Sequence, residues 1–171
     1  MAQYLIADHR RLDALLQRAT ADPAHFDGVA YAQFRAGLLR HIGMEEKILL
    51  PAAQRLRGGE PLPVAARLRL DHGALAALLV PTPTPAIVAT LRRILSAHNP
   101  LEEGPDGVYA ACEHLAAAES SALLAQLQSA PPVPVAAHSD GPRIMDATRR
   151  ALARAGYELE LAVPGDTPRA D

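Results

Sequence analysis

Apolar residues recur along this chain at the three- and four-residue spacing of amphipathic helices, and prolines and glycines punctuate the pattern. Leu5, His9, Leu12 and Leu16 form one stripe and predict a helix over residues 3–20, ended by Asp22-Pro23. Phe34, Leu38, His41, Glu45, Ile48 and Leu49 predict a second over 28–57, closed by Gly58-Gly59. Pro51 lies inside that pattern and removes a hydrogen bond to the Lys47 carbonyl, which predicts a kink one turn after Glu45. Leu68, His72, Leu75 and Leu79 predict a third helix over 62–80, with Pro81, Pro83 and Pro85 beyond it. Ile87, Leu91, Leu95, His98 and Glu102 predict a fourth, distorted near its end by Pro100 and Gly104-Pro105. A fifth segment, residues 107–129, is rich in Ala and Leu and completes or covers this helical core.

Two unlike regions follow from the pattern: a helical unit over 1–129, and a second region over 130–171. The second begins with the stiff Pro131-Pro132-Val133-Pro134 linker. An amphipathic helix over 143–155 and a short stretch from Tyr157 to Leu161 come after it. Either Ile144, Leu152 and Leu159 dock on the same helices or on a second copy, or the region is a tail that binds a partner protein.

Composition agrees with an all-α protein: 49% of the 171 residues are hydrophobic, only 4% are aromatic, and Trp is absent. The formal net charge of −2 gives no electrostatic footprint for nucleic acid or an anionic membrane. The single cysteine, Cys112, excludes an intramolecular disulfide and a cysteine-based metal cluster within one chain, and fits a cytoplasmic setting. No apolar run has the length of a membrane span, and no signal peptide is expected.

The seven histidines change the picture, because four of them fall in an internal repeat. Residues 8–16 match residues 71–79 at six of nine positions, and both segments open with Asp-His. His41-x-x-x-Glu45-Glu46 matches His98-x-x-x-Glu102-Glu103 in the histidine and both glutamates. His9, His41, His72 and His98, with Glu45 and Glu102, all occupy inward positions, where unpaired polar groups would be costly. Residues four apart share a helix face, so each His-x-x-x-Glu pair offers a nitrogen and an oxygen to one ion. Mixed imidazole and carboxylate donors suit iron, manganese or zinc, and six ligands exceed one tetrahedral site.

The order DH…HxxxE…DH…HxxxE resembles the hemerythrin-like, or HHE cation-binding, family over about residues 3 to 128. The resemblance implies an up-down-up-down antiparallel four-helix bundle. It also implies two non-haem iron ions with an oxo or hydroxo bridge, held by His9, His41, Glu45, His72, His98 and Glu102, with Zn or Mn as possible substitutes. Dioxygen, nitric oxide, peroxide or iron itself would be the small ligand. Oxygen-carrying members have a further histidine one turn after the third-helix ligand, where this chain has Ala76. That departure favours sensing, iron handling or redox chemistry over oxygen carriage. The reading prefers a binding or sensing protein; the alternatives are a redox enzyme that reduces peroxide or oxidises ferrous iron, and a metal-free helical scaffold.

Pro100 and Pro105 leave Glu103 as an alternative to Glu102. Asp8 and Asp71 are either acceptors for an imidazole on a neighbouring helix or members of salt bridges. Glu46 and Glu103 are assigned to solvent or to an interhelical edge, His25, His114 and His138 to solvent, and Cys112 to packing; Tyr109 could approach the site from the segment after the fourth helix, but is assigned to packing. No P-loop, GxGxxG, Gly-x-Ser-x-Gly or Glu-x-x-His motif is present.

Overall fold

The computed structural model describes residues 1–22 and 24–160; Pro23 and Leu161, named above, lie outside the described residues. The chain is all-helical, with no strand among the described residues. Four long helical segments carry the repeat: α1 (Ala2–Ala19), α2 (Gly28–Met44), α4 (Ala65–Leu78) and α5 (Pro85–Glu103). Their ends are chemically marked. The Asp27 carboxylate accepts from the Val29 and Ala30 amides to start α2, and Thr84 Oγ1 accepts from the Ile87 amide to start α5, with Pro85 in its first turn.

The predicted kink at Pro51 takes another form. A π-helical turn over Glu45–Leu49 separates α2 from α3 (Leu50–Leu56), with the Leu50 amide donating to the Glu45 carbonyl. The wider turn lies immediately before the proline, whose ring would clash with the carbonyl four residues back in a regular helix. The fifth segment also divides, into α6 (Val108–Leu115) and α7 (Ser120–Gln128), joined by a 3₁₀ turn over Ala117–Glu119.

Helix α1 packs on α2 and α4 on α5, while α5 also touches α1. Their apolar residues form two separate clusters. Leu12, Leu38, Leu75 and Ile94 belong to one, with Phe34 and Leu91; Leu5, Met44, Leu68 and Val108 belong to the other, with Leu49 and Leu127. Each pair Leu5/Leu12, Leu38/Met44 and Leu68/Leu75 brackets a repeat histidine, so the polar residues form a layer between the clusters. Helices α1 and α4 cross that layer in one direction, and α2 crosses it in the other.

Residues 130–160 are built into the same body. Arg40 donates to the Leu127, Gln128 and Ala130 carbonyls, Arg35 to the Ala136 carbonyl, and the Ser139 amide to the Val80 carbonyl. Helix α8 (Pro142–Arg154) packs on α4, with Leu152 fully buried and Tyr157 and Leu159 against the first cluster. Docking on the same chain is therefore the arrangement of residues 142–160. Among the described residues, no helix is long and apolar enough to cross a membrane.

Candidate metal centre

The repeat brings all six expected residues into one buried layer. His9 comes from α1, His41 from α2, Glu45 from the π turn, His72 from α4, and His98 and Glu102 from α5; none is more than 7% exposed. The i,i+4 spacing places His41 Nε2 3.2 Å from Glu45 Oε1 and His98 Nε2 3.2 Å from Glu102 Oε1. Each glutamate also reaches across to the other half of the repeat: Glu45 Oε2 lies 3.3 Å from His72 Nε2, and Glu102 Oε2 lies 3.5 Å from His9 Nε2. Between Glu102 and Glu103, it is Glu102 that turns inward, at 0% exposure.

Two overlapping donor groups result, each compact enough to hold a metal ion. One comprises His9, His41, Glu45 and Glu102; the other comprises Glu45, His72, His98 and Glu102. Within each group, one ligand atom per residue lies within 4.8 Å of all the others. Glu45 Oε2 and Glu102 Oε1, from the two residues that both groups share, are buried without a hydrogen-bond partner. Buried carboxylate oxygens without a donor are costly, and a cation between them and the facing imidazoles would satisfy both. The residues present therefore fit metal ions in chemistry as well as in number.

The opposite nitrogen of each imidazole has its own carboxylate. His41 Nδ1 donates to Asp8 at 3.0 Å and His98 Nδ1 to Asp71 at 3.3 Å, both within a helical hairpin. His72 Nδ1 donates to Glu46 at 2.7 Å and His9 Nδ1 to Glu103 at 2.6 Å, both between hairpins. The four bonds link α1 to α2, the π turn to α4, α4 to α5, and α5 back to α1, closing a ring. Such bonds fix the tautomer with Nε2 free to face a metal, and they orient the imidazole plane. Asp8 and Asp71 thus act as imidazole acceptors and also pair with Arg11 and Arg67. Glu46 and Glu103 do lie at interhelical edges, but the sequence reading missed their bonds to the imidazoles. The signal was the second glutamate of each repeat.

Charge in the metal-free layer is balanced by protons. Burial works against a charged imidazole, yet Glu45 and Asp8 raise His41 to about 10, and the facing carboxylates of Glu102, Glu45 and Glu46 raise His72 to about 11. Asp71 and Glu102 raise His98 to about 9 in the same way. Burial, reinforced by repulsion from His41, holds His9 below its ordinary value. Burial also opposes ionisation of Glu45, but His41 and His72 keep it well below the usual carboxylate range. Metal ions bound here would displace these protons.

Tyr109, assigned to packing in preference to an approach to the site, in fact enters the layer. Its hydroxyl donates to Glu45 Oε1 at 2.6 Å and lies 3.2 Å from His9 Nε2 and 3.3 Å from both His41 Nε2 and Glu102 Oε2. The tight turn after α5 brings it there, with the Gly107 amide donating to the Gly104 carbonyl at 2.8 Å. A Cβ on Gly107 would lie 2.6 Å from the Glu102 carbonyl oxygen, so no larger residue fits this turn unshifted. Deep burial and the two facing carboxylates hold the phenol strongly protonated in the metal-free chain.

The remaining expected residues separate. His25, His114 and His138 are all exposed, as expected, and His138 is also tethered: its Nδ1 donates to the Pro81 carbonyl, Arg35 donates to its Nε2, and its ring stacks on Tyr31. Cys112 is buried, and burial pushes its thiol up to about 12. An open cleft of about 470 Å³ runs between α1 and α5 to His9 and Glu103, past Leu12, Leu95 and Asn99. No family model, no curated protein and no solved structure matches the chain.

Proposed function

We propose that this protein binds two metal ions side by side and is a hemerythrin-like di-iron protein that takes up dioxygen, nitric oxide or peroxide, or responds to iron. His9 and His41 would hold one ion, His72 and His98 the other, with Glu45 and Glu102 giving one oxygen to each. The observation that carries this reading is the division of both glutamates between the two histidine pairs. Glu45 faces His41 with Oε1 and His72 with Oε2, and Glu102 faces His98 with Oε1 and His9 with Oε2. Nitrogen and oxygen donors suit iron, with manganese or zinc as substitutes. The alternation of helix directions across the polar layer supports the four-helix, up-down-up-down arrangement of that family.

Bound iron would supply one-electron chemistry and open positions for a small ligand. The chain's own residues do the rest. The four Nδ1 bonds orient the imidazoles, the two apolar clusters exclude bulk water, and the cleft beside His9 offers a path for molecules of a few atoms. Sustained turnover with an electron donor would favour peroxide reduction or ferrous iron oxidation over sensing.

The test is metal content per chain after anaerobic loading with ferrous iron and desalting. Near two irons per chain is the expected result. One metal, or a preference for zinc, would retain the donor set and remove the redox function, and no metal would return the protein to the helical scaffolds.

A further inference from the structure

We propose that the phenol oxygen of Tyr109 is a fifth protein donor to the ion of the His9–His41 group, an assignment that rests on the dinuclear reading above. A tyrosine retained for packing needs one acceptor for its hydroxyl. Tyr109 Oη instead approaches four atoms: Glu45 Oε1 at 2.6 Å, His9 Nε2 at 3.2 Å, and His41 Nε2 and Glu102 Oε2 at 3.3 Å. These belong to the four residues of the first donor group, and to no others. Two donors at right angles on one ion, with bonds of about 2.1 Å, are about 3.0 Å apart. One corner of an octahedron has four such neighbours. Tyr109 Oη therefore has the spacing of a donor that caps the other four.

The exchange is balanced without a change of oxidation state. The phenolic O–H bond breaks, its proton leaves to solvent, and an oxygen–metal bond forms in its place. The phenol is 1% exposed, so the bond would lie out of water's reach.

The arrangement is one-sided. Tyr109 follows Glu102 by seven residues; seven residues after Glu45 the chain has Ala52, which carries no donor. The internal repeat thus makes two like histidine pairs, and Tyr109 makes them unlike. The His72–His98 group then has four protein donors against five on the other side.

The test compares the protein with Tyr109→Phe, each loaded anaerobically with ferrous iron, counted for metal and then oxidised. The expected result is two irons per chain in both. In the unsubstituted protein a visible phenolate-to-ferric band appears, with tyrosine ring modes in resonance Raman, and both vanish in the variant. Two irons without the band or ring modes would overturn the proposal while leaving the dinuclear reading intact. Retention of the band in Tyr109→Phe would assign it to Tyr4, Tyr31 or Tyr157 and overturn the proposal equally. Failure of the unsubstituted protein to bind iron would overturn both. Ring-deuterated tyrosine in the unsubstituted protein shifts the ring modes if they arise from a phenolate, so the first outcome is readable even if the variant does not fold.

Discussion

Glu103 Oε1 lies 2.6 Å from His9 Nδ1, joining the last turn of the fourth long helix to the first. Its counterpart in the repeat, Glu46, makes the same bond to His72 at 2.7 Å. Neither carboxylate belongs to a donor group, yet each holds an imidazole whose other nitrogen does. Glu46→Gln and Glu103→Gln should therefore leave two ions per chain at saturation and weaken binding by about 10- to 100-fold. Titration against a chelator of known affinity measures this. Undiminished affinity in both variants would show the bonds to be incidental.

The protonated imidazoles give the metal-free protein a pH dependence of definite sign. His41, His72 and His98 are raised from 6.5 to about 10, 11 and 9, so the stability they contribute is complete below pH 6.5 and lost as pH rises through the folded values. On the acid side, Asp8 is lowered to about 2 from 3.8 and contributes stability above its ordinary value that is lost as pH falls through the folded one. In chelator, the thermal midpoint should fall by several degrees between about pH 7 and about pH 10. Metal-loaded protein should show a flatter alkaline arm, since ions replace the protons. A metal-free midpoint that climbs over that range would contradict the charge assignment.

Gly107→Ala tests the turn that delivers Tyr109. The added carbon would lie 2.6 Å from the Glu102 carbonyl oxygen and 2.9 Å from the Gly104 nitrogen, both backbone atoms. The expected cost is about 1–3 kcal/mol in urea unfolding, because the backbone must shift to relieve the overlap. Where the variant is folded and loaded, the Tyr109 oxygen should be displaced, and Glu102 with it. An unchanged midpoint would mean that the turn opens freely.

Leu152→Ala addresses the region beyond the proline-rich linker. Leu152 is 0% exposed and lies among Leu75, Leu78 and Leu91 in the first apolar cluster. Its truncation should cost about 2–5 kcal/mol and lower the midpoint of the whole protein in one transition. A loss well under 1 kcal/mol would mean that α8 is not part of the cooperative body.

The helices and the six inward residues were legible in the sequence because a 3.6-residue period and a duplicated motif are local signals. His9 repeats as His72, and His41 with Glu45 repeats as His98 with Glu102, so chance placement is excluded by the second copy. Asp8 and Asp71 were legible only as one of two alternatives, since each stands about 100° around the helix from its histidine and could face either an imidazole or an arginine. Tyr109 was less legible still. It reaches the layer only because the chain reverses over Gly104–Gly107, and a turn of that kind leaves no periodic trace. Pro51 announced a distortion, but whether a helix answers a proline by bending or by widening depends on what packs around it. The docking of His138 and α8 was equally hidden, because a proline-rich linker fixes a spacing and not a destination.

The polar layer has a thermodynamic meaning apart from its ligands. Two oily cores meet across a charged waist, and the same helices run through both. Neither core can therefore loosen without dragging on the other. Bound ions would act as rivets at that waist, tightening a unit that already melts as one.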